Sequence, residues 1–315
     1  MRRRARIGTP LVAIVAGALV ACSPGASGNG DDGRLRVVAT TTQVGSIARE
    51  IGGDDIELTV LLKPGVEAHD FELTPAAGAA VEQADVILVS GAGLEGWLDE
   101  TLDTIGGADR VRDLSDGIAL RIPGEDEPAH EDEHADEVDP HYWLSAPNAI
   151  VMAENVRDAL ADAAPDLADA FAERASRRVM RIEAADAEVR AMIDEVPVDD
   201  RRIVTDHDAL GYFIDEYGLQ FVGSVFPSLD VSSEPSAQQL EALVTEIREQ
   251  DVAAIFTESS VNPRLAAAVA GETDARVVDE PIYTDSLGAA GSGADTLDGM
   301  LLHNARVIRD GLLGS

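Results

Sequence analysis

From residue 34 onward, short runs rich in β-branched residues alternate with amphipathic stretches. This alternation favours a parallel sheet, since parallel strands need a crossover connection that is usually a helix. The predicted strands are residues 34–41, 56–62, 85–91, 110–115, 201–207, 219–226, 252–259 and 276–281. The predicted helices between and after them are residues 44–51, 75–84, 94–105, 209–217, 236–250 and 263–270, with a final helix that ends at residue 313. The expected fold class is α/β, with two doubly wound lobes and parallel-rich sheets.

A helical region separates the two series of strands. Residues 148–163 have the pattern of one helix, and Pro165 is well placed as the first residue of a second helix over 165–196. One helix of that length would extend about 48 Å and would join the two lobes stiffly. Two helices broken near the middle are the alternative. The apolar residues at helical spacing are Leu167, Phe171, Val179, Ile182, Val189, Ile193 and Val196.

The N-terminus has the layout of a bacterial lipoprotein signal peptide. Four arginines within the first six residues precede an apolar run over 10–20, and Leu19-Val20-Ala21 leads directly into Cys22. We therefore expect residues 1–21 to be removed and Cys22 to carry the lipid, with an uncleaved anchor as the alternative. Residues 22–33 are small, polar and rich in glycine, which is typical of a flexible tether.

Cysteine count and charge narrow the chemistry of the remaining chain. Cys22 is the only cysteine, so disulfides, thiolate metal sites and a cysteine nucleophile are excluded from the folded region, and a metal would need His, Asp or Glu. The first 21 residues carry four of the 24 Lys and Arg and no acidic residue, so the formal charge falls from −35 to −39 without them. Nucleic acid is not an expected partner of such an acidic chain. No second segment has the length and composition of a membrane span.

Three of the six histidines stand where α/β sheets place ligand-binding residues. His69 follows the second predicted strand and a Pro-Gly turn, His207 ends the fifth, and His141 precedes the helical region. Open sheets bind ligands at the carboxyl ends of their strands. A single histidine is commonly a structural hydrogen-bonding group, but three in comparable positions indicate a shared site.

Four segments resemble, in order, the motifs of the zinc and manganese solute-binding proteins that serve metal ABC transporters. They are LLKPGVEAHDFELTPAAGAAVEQADVILVSGAGLEGWLDE, DPHYWLSAPNA, VTDHDALGYFIDEYGL and YTDSLGAAGSGADTLDGMLLHN. The resemblance covers almost all of the chain after the signal segment. It departs from the usual pattern at Ala68, and at Pro147, which is displaced from its usual place just after the Trp-Leu pair. Neither residue is an expected ligand.

The resemblance implies a metal site in the cleft between two α/β domains joined by a long helix. The implied ligands are His69, His141, His207 and Asp285. In manganese-type members of the family a glutamate can stand where this chain has His207. Three imidazoles and one carboxylate suit tetrahedral zinc, whereas manganese prefers oxygen-rich surroundings. Copper outranks zinc at most such sites, so metal availability and the transporter must select the ion.

An acidic loop over 124–139 carries nine carboxylates together with His130 and His134. Zinc-type receptors often have such a loop, so the resemblance implies an auxiliary metal collector; a solvated run of charge is the alternative. Glu258 has two alternatives as well, orienting a ligand histidine or capping the helix that follows. We expect Tyr142 and Trp143 to pack between the domains and His303 to be structural.

These observations predict a receptor with five parts: a signal peptide (1–21), a lipidated tether (22–33), an N-terminal α/β domain (34–147), a helical connector (148–198) and a C-terminal α/β domain (199–315). The expected role is a monomeric, non-enzymatic receptor on the outer face of the cytoplasmic membrane, which binds one Zn²⁺ as its transported ligand. It would deliver that ion to an ABC permease and its ATPase, with affinity falling as the pH drops toward about 6.

Three alternatives stay open at this point. The same receptor could serve Mn²⁺ or Fe²⁺, or the chain could be a surface adhesin, a role attributed to some relatives of this family. A zinc hydrolase would need an open coordination position and a general base, and the chain has no H-E-x-x-H or G-x-S-x-G motif to support it.

Overall fold

A computed structural model describes residues 33–69, 71–123, 138–229, 231 and 234–314, with the side chain of residue 105 left out. Within this part of the chain, helices and strands alternate as the sequence predicts. The strands are β1 (Leu35–Ala39), β2 (Ile56–Val60), β3 (Val86–Val89), β4 (Val111–Asp113), β5 (Arg202–His207), β6 (Gln220–Phe226), β7 (Ala254–Phe256) and β8 (Arg276–Val277). The helices are α1 (Thr42–Gly52), α2 (Pro75–Gln83), α3 (Gly96–Ile105), α4 (Ala146–Ala163), α5 (Ala168–Asp194), α6 (Gly211–Tyr217), α7 (Ala237–Glu249), α8 (Arg264–Gly271) and α9 (Leu297–Leu313).

The strands form two parallel sheets with the same topology. The first has the order β2-β1-β3-β4 and the second the order β6-β5-β7-β8. We call β1–β4 with α1–α3 the first lobe, and β5–β8 with α6–α9 the second lobe. The central strands β3 and β7 are buried along their whole length, as strands covered by helices on both faces must be. The predicted α/β class with two parallel-sheet lobes is confirmed.

Local capping fixes where several helices begin. The hydroxyl oxygen of Thr41 accepts a hydrogen bond from the Val44 amide at the start of α1. Ser236 and Gln239 form a reciprocal capping box at the start of α7. Helix α1 follows the carboxyl end of β1, and α7 follows the loop after β6. These caps therefore also mark where those two connections end.

The connector contains one long continuous helix, so the alternative of a helix broken in its middle is wrong. Helix α5 has 27 residues and extends about 40 Å, shorter than predicted at both ends. Residues Pro165–Leu167 form a 3₁₀ turn instead of the first helical turn. The helix ends ahead of Pro197, since a residue that precedes proline disfavours the helical conformation.

The larger of two apolar clusters runs through both lobes and the connector. Helix α5 packs against α1 of the first lobe, α9 of the second and the preceding helix α4. The larger buried cluster includes Val37 and Ile87 of the first sheet, Phe171 and Ile182 of α5, and Phe256 of the second sheet. A smaller cluster packs beneath α7 and α8. Residues Arg34–Ser315 form one compact unit, so the two lobes share buried surface through α5.

Several predicted features lie outside the described residues. They are the signal segment 1–21, the proposed lipidation site Cys22, the tether up to residue 32, and His130 and His134 of the acidic loop. Among the helices that are described, none is long and apolar enough to cross a bilayer.

Candidate metal site

Four side chains from separate parts of the sequence meet between the lobes. His69, His141, His207 and Asp285 each offer one ligand atom, and these four atoms lie within 4.8 Å of one another. His69 lies in the loop after β2, His141 just before the 3₁₀ turn that leads into α4, His207 at the end of β5, and Asp285 between β8 and α9. The structure therefore brings together the four residues that the resemblance implies as ligands.

The spacing of the ligand atoms fits a single small ion. The Nε2 atoms of His69 and His141 are 3.3 Å apart, and Nε2 of His141 is 3.0 Å from Oδ1 of Asp285. Nε2 of His207 is 3.5 Å from Oδ2 of the same carboxylate. A tetrahedral zinc ion with bonds of about 2.0–2.1 Å holds its ligand atoms about 3.3 Å apart.

A carboxylate orients His141. Oδ1 of Asp139 accepts hydrogen bonds from the His141 amide at 2.9 Å and from its Nδ1 at 2.8 Å, and both side chains are buried. Because a carboxylate only accepts, the proton is on Nδ1, and Nε2 is turned toward the other ligand atoms. Sequence reasoning missed Asp139, which it counted within the acidic loop; the Asp-x-His spacing was the available signal.

The second lobe orients His207 in the same way. Oε1 of Glu258 accepts hydrogen bonds from the His207 amide at 3.1 Å and from its Nδ1 at 2.7 Å. The other carboxylate oxygen of Glu258 accepts a bond from the Thr284 hydroxyl. Of the two roles considered for Glu258, the structure shows the contact with His207. Glu258 thereby contacts one candidate ligand directly and the residue before Asp285 as well.

His69 is more exposed than the other three candidate ligands. It lies in an irregular loop, and its side chain is 15% exposed whereas the other three side chains are at most 1% exposed. The loop is anchored by the Trp97 indole, which donates to the Ala68 carbonyl at 3.0 Å, and by the edge contact of Trp97 with Phe71. The solvent-facing side of the cluster is therefore the side that His69 occupies.

Two buried atoms in the cluster have no hydrogen-bond partner among the described residues. They are Nε2 of His207 and Oδ2 of Asp285, which face each other at a distance too long for a hydrogen bond. A buried polar atom without a partner costs free energy comparable to a lost hydrogen bond. Both atoms belong to the set whose spacing suits an ion, and a bound cation would satisfy them.

The same contacts shift the protonation of the cluster. Burial by itself lowers the pKa of His141, but the bonds and charges of Asp139 and Asp285 outweigh it and raise this pKa to about 10. Burial also opposes charge on His207, yet the carboxylates of Glu258 and Asp285 raise its pKa to about 9. Burial raises the pKa of Asp285, and the neighbouring histidines more than offset this and hold it well below its usual range. The imidazoles of His141 and His207 are therefore protonated at neutral pH when no metal is bound.

A further carboxyl group, that of Glu67, lies beside the cluster. Its Oε1 accepts from the His69 amide at 3.1 Å, while its buried Oε2 has no hydrogen-bond partner among the described residues. Burial and then the negative charge of Asp285 raise the pKa of Glu67. Sequence reasoning did not single out this residue.

The remaining aromatic and histidine predictions concern residues outside the ligand set. Tyr142 and Trp143 are fully buried; the phenol donates to the Ser90 carbonyl at 2.6 Å and the indole to the Thr284 carbonyl of the second lobe at 3.0 Å. His303 lies on α9, where Nε2 donates to the Pro281 carbonyl at 2.9 Å. These contacts are structural, and they leave none of the three as a member of the cluster.

Comparisons with known proteins identify the family of this chain. The profile of the family described as "Zinc-uptake complex component A periplasmic" matches residues 37–311. The manganese-binding lipoprotein MntA of Bacillus subtilis is 32% identical over 300 residues, which cover 94% of this chain and 95% of that protein. MntA of Halalkalibacterium halodurans is 30% identical over 298 residues, with the same coverage of both chains.

Solved structures show the same fold. The periplasmic zinc-binding protein TroA of Treponema pallidum superposes with a TM-score of 0.79 at 27% identity, covering 89% of this chain and 99% of TroA. A manganese-bound periplasmic metal-binding protein from Candidatus Liberibacter asiaticus gives a TM-score of 0.78 at 25% identity, covering 89% of this chain and all of that one. The chain therefore belongs to the zinc-uptake complex component A family, the metal-binding receptors of ABC transporters.

Proposed function

We propose that this protein captures one divalent transition-metal ion outside the cytoplasmic membrane and delivers it to an ABC permease and its ATPase. The carrying observation is the cluster of His69, His141, His207 and Asp285, in which Nε2 of His207 and Oδ2 of Asp285 are buried without hydrogen-bond partners among the described residues. Four protein ligands can fill a tetrahedral shell, which suits a carrier, whereas a catalytic zinc site keeps one position open. Lipidation at Cys22 would hold the receptor beside its permease.

We propose Zn²⁺ as the ion. Three imidazoles and one carboxylate are the donor set that zinc accepts, and the two oriented histidines present Nε2 toward a common point. The family description, which names zinc uptake, also supports this assignment.

Mn²⁺ is the second candidate, favoured by two observations. The relatives from Bacillus subtilis and Halalkalibacterium halodurans are named manganese-binding lipoproteins. In addition, Glu67 places next to the cluster a carboxyl oxygen that has no hydrogen-bond partner among the described residues, and manganese prefers more oxygen ligands than zinc. A relative from Yersinia pestis, 30% identical over 256 residues, is named an iron-binding protein, so Fe²⁺ belongs in the same test.

Competition among metals tests the assignment. The purified apoprotein is given an equimolar mixture of Zn²⁺, Mn²⁺ and Fe²⁺ without oxygen, and the retained metal is identified by elemental analysis after gel filtration. We expect one zinc per chain, consistent with the general order of divalent affinities. The Glu67→Gln variant serves as the matched comparison, since it removes the additional charge and leaves the four ligands in place. Stoichiometric manganese in the presence of zinc would overturn the zinc assignment, and retention of none of the three ions would overturn the receptor role.

A further inference from the structure

The segment that carries Asp285 belongs to the second lobe but is hydrogen-bonded to the first. The carbonyl oxygen of Thr284 accepts two bonds from the first lobe and its adjoining segment, one from Nε2 of Gln43 at 2.9 Å and one from the Trp143 indole at 3.0 Å. The Gly65 amide donates to the Ser286 hydroxyl oxygen at 2.8 Å. The Thr284 carbonyl and the Ser286 side chain, on either side of the candidate acidic ligand, are thus hydrogen-bonded to residues far away in the sequence.

Two adjacent residues at the start of α1 close a ring of hydrogen bonds around Asp285. The Leu287 amide donates to Oγ1 of Thr42 at 2.8 Å, and the Thr42 hydroxyl donates to Oε1 of Gln43 at 2.9 Å. The ring is completed by the bond from Nε2 of Gln43 to Thr284. Since the hydroxyl must donate to the amide oxygen, the orientation of the Gln43 amide is determined by its partners. A glutamate at this position could accept from Thr42 but could not donate to Thr284.

Burial makes this ring different from a surface contact. Gln43 is 0% exposed, and Thr42, Thr284 and Leu287 are each less than a tenth exposed. Buried hydrogen bonds are not readily replaced by water, so each partner holds its position strongly. The ring also joins residues that are 241 to 245 positions apart, so it can form only when the two lobes are together.

We propose that Thr42 and Gln43 are positioning residues for Asp285 and that they slow the release of the bound ion. This inference rests on the proposed function of the cluster. Asp285 is the one carboxylate among the four candidate ligands. Its two oxygens face different histidines, Oδ1 toward His141 and Oδ2 toward His207. A rotation of its backbone would disturb both contacts together. The two residues thereby let the first lobe control a ligand that the second lobe supplies.

Release of metal from variants at position 43 tests the proposal. The purified chain is loaded with zinc, or with manganese if the competition experiment selects it, and the dissociation rate is measured by chase with an excess of chelator. Loss of a partner that orients a metal ligand typically lowers affinity about 10- to 100-fold, so we expect Gln43→Glu and Gln43→Leu to release the ion faster by about that factor. The matched control is Gln250→Leu, an exposed glutamine whose side chain contacts Glu246 on α7.

The thermal midpoint of the metal-free protein separates positioning from general stability. A purely structural role would lower that midpoint and leave the dissociation rate unchanged, which would overturn the proposal. If the Gln43 variants do not fold, Thr42→Val and Thr42→Ser decide instead, since serine keeps the hydroxyl and valine removes it. Faster release from the valine variant alone supports the proposal, and equal rates overturn it. A wild type that binds no ion would overturn the proposed function itself, which distinguishes the two failures.

Discussion

The two lobes share one sheet topology but bury their candidate ligands to different extents. His207 is the last residue of β5, fully buried, with its Nδ1 bound to Glu258. His69 follows the edge strand β2, lies in an irregular loop and reaches solvent. The difference indicates a direction of access: an ion would enter and leave past the exposed side chain of His69, while the candidate ligands of the second lobe are buried. Substitutions made in each lobe separately test this difference in ligand burial.

Removal of a candidate ligand should have the largest effect, and it should be larger in the second lobe. We expect His207→Ala to abolish stoichiometric zinc binding. Its loss of affinity should exceed about 100-fold, the upper end of the loss caused by removing a residue that orients a ligand. His69→Ala should cost less, because water can enter the exposed side and occupy the vacated position. Isothermal titration measures both, with His303→Ala as the control outside the cluster. Undiminished, stoichiometric zinc binding by His207→Ala would contradict the site.

Removal of the orienting carboxylates should have an intermediate effect. Asp139→Asn and Glu258→Gln each keep the side-chain size but weaken the bond to a ligand imidazole, and each should lower affinity about 10- to 100-fold. The Glu258 variant should be the weaker binder, since Glu258 also accepts from the Thr284 hydroxyl beside Asp285. Glu280→Gln, which alters an exposed pair with Arg306, is the control. Equal affinities for wild type and both site variants would show that these bonds do not influence metal binding.

Acidity should weaken binding steadily across the neutral range. The pKa values of about 10 for His141 and about 9 for His207 mean that metal must displace protons from both imidazoles throughout the neutral range. Affinity should therefore fall as the pH is lowered, and the dependence should begin near pH 10, where His141 takes up its proton, instead of near the ordinary histidine value of about 6.5. Calorimetry in buffers of different ionisation enthalpy should show release of about two protons per ion at pH 7. Binding without proton release would contradict the protonation described for the free site.

Sequence patterns predicted the elements of both lobes well because those patterns are local. β-Branched runs such as residues 85–91 and 201–207 report burial on both faces of a strand, and each coincides with a strand of the structure. The ends of α5 were less predictable. The periodic apolar pattern extends from Leu167 to Val196, past both helix ends, since Leu167 packs partly buried against the same core in which Val196 is buried.

The resemblance to metal receptors supplied the four candidate ligands, but among the residues that orient them local reasoning considered only Glu258, as one of two alternatives. Asp139 resembles its acidic neighbours in composition, and only the fold shows that its carboxylate is buried against His141. Gln43 has no recognisable motif, and its partner lies 241 residues away. Contacts of this kind depend on the relative position of two lobes, which no window of sequence contains.

The amino-acid sequence alone predicts which segments form helices and strands, their order, and the types of side chain available to bind a metal. With its only cysteine at position 22, the folded chain has imidazoles and carboxylates as its strong metal ligands, whatever its tertiary structure. The tertiary structure decided which of these groups meet, which carboxylates orient them, and which lobe holds Asp285. The physical reason is that propensity and periodicity act over a few residues, whereas a buried hydrogen bond depends on atoms that only packing of the whole chain brings within 3 Å.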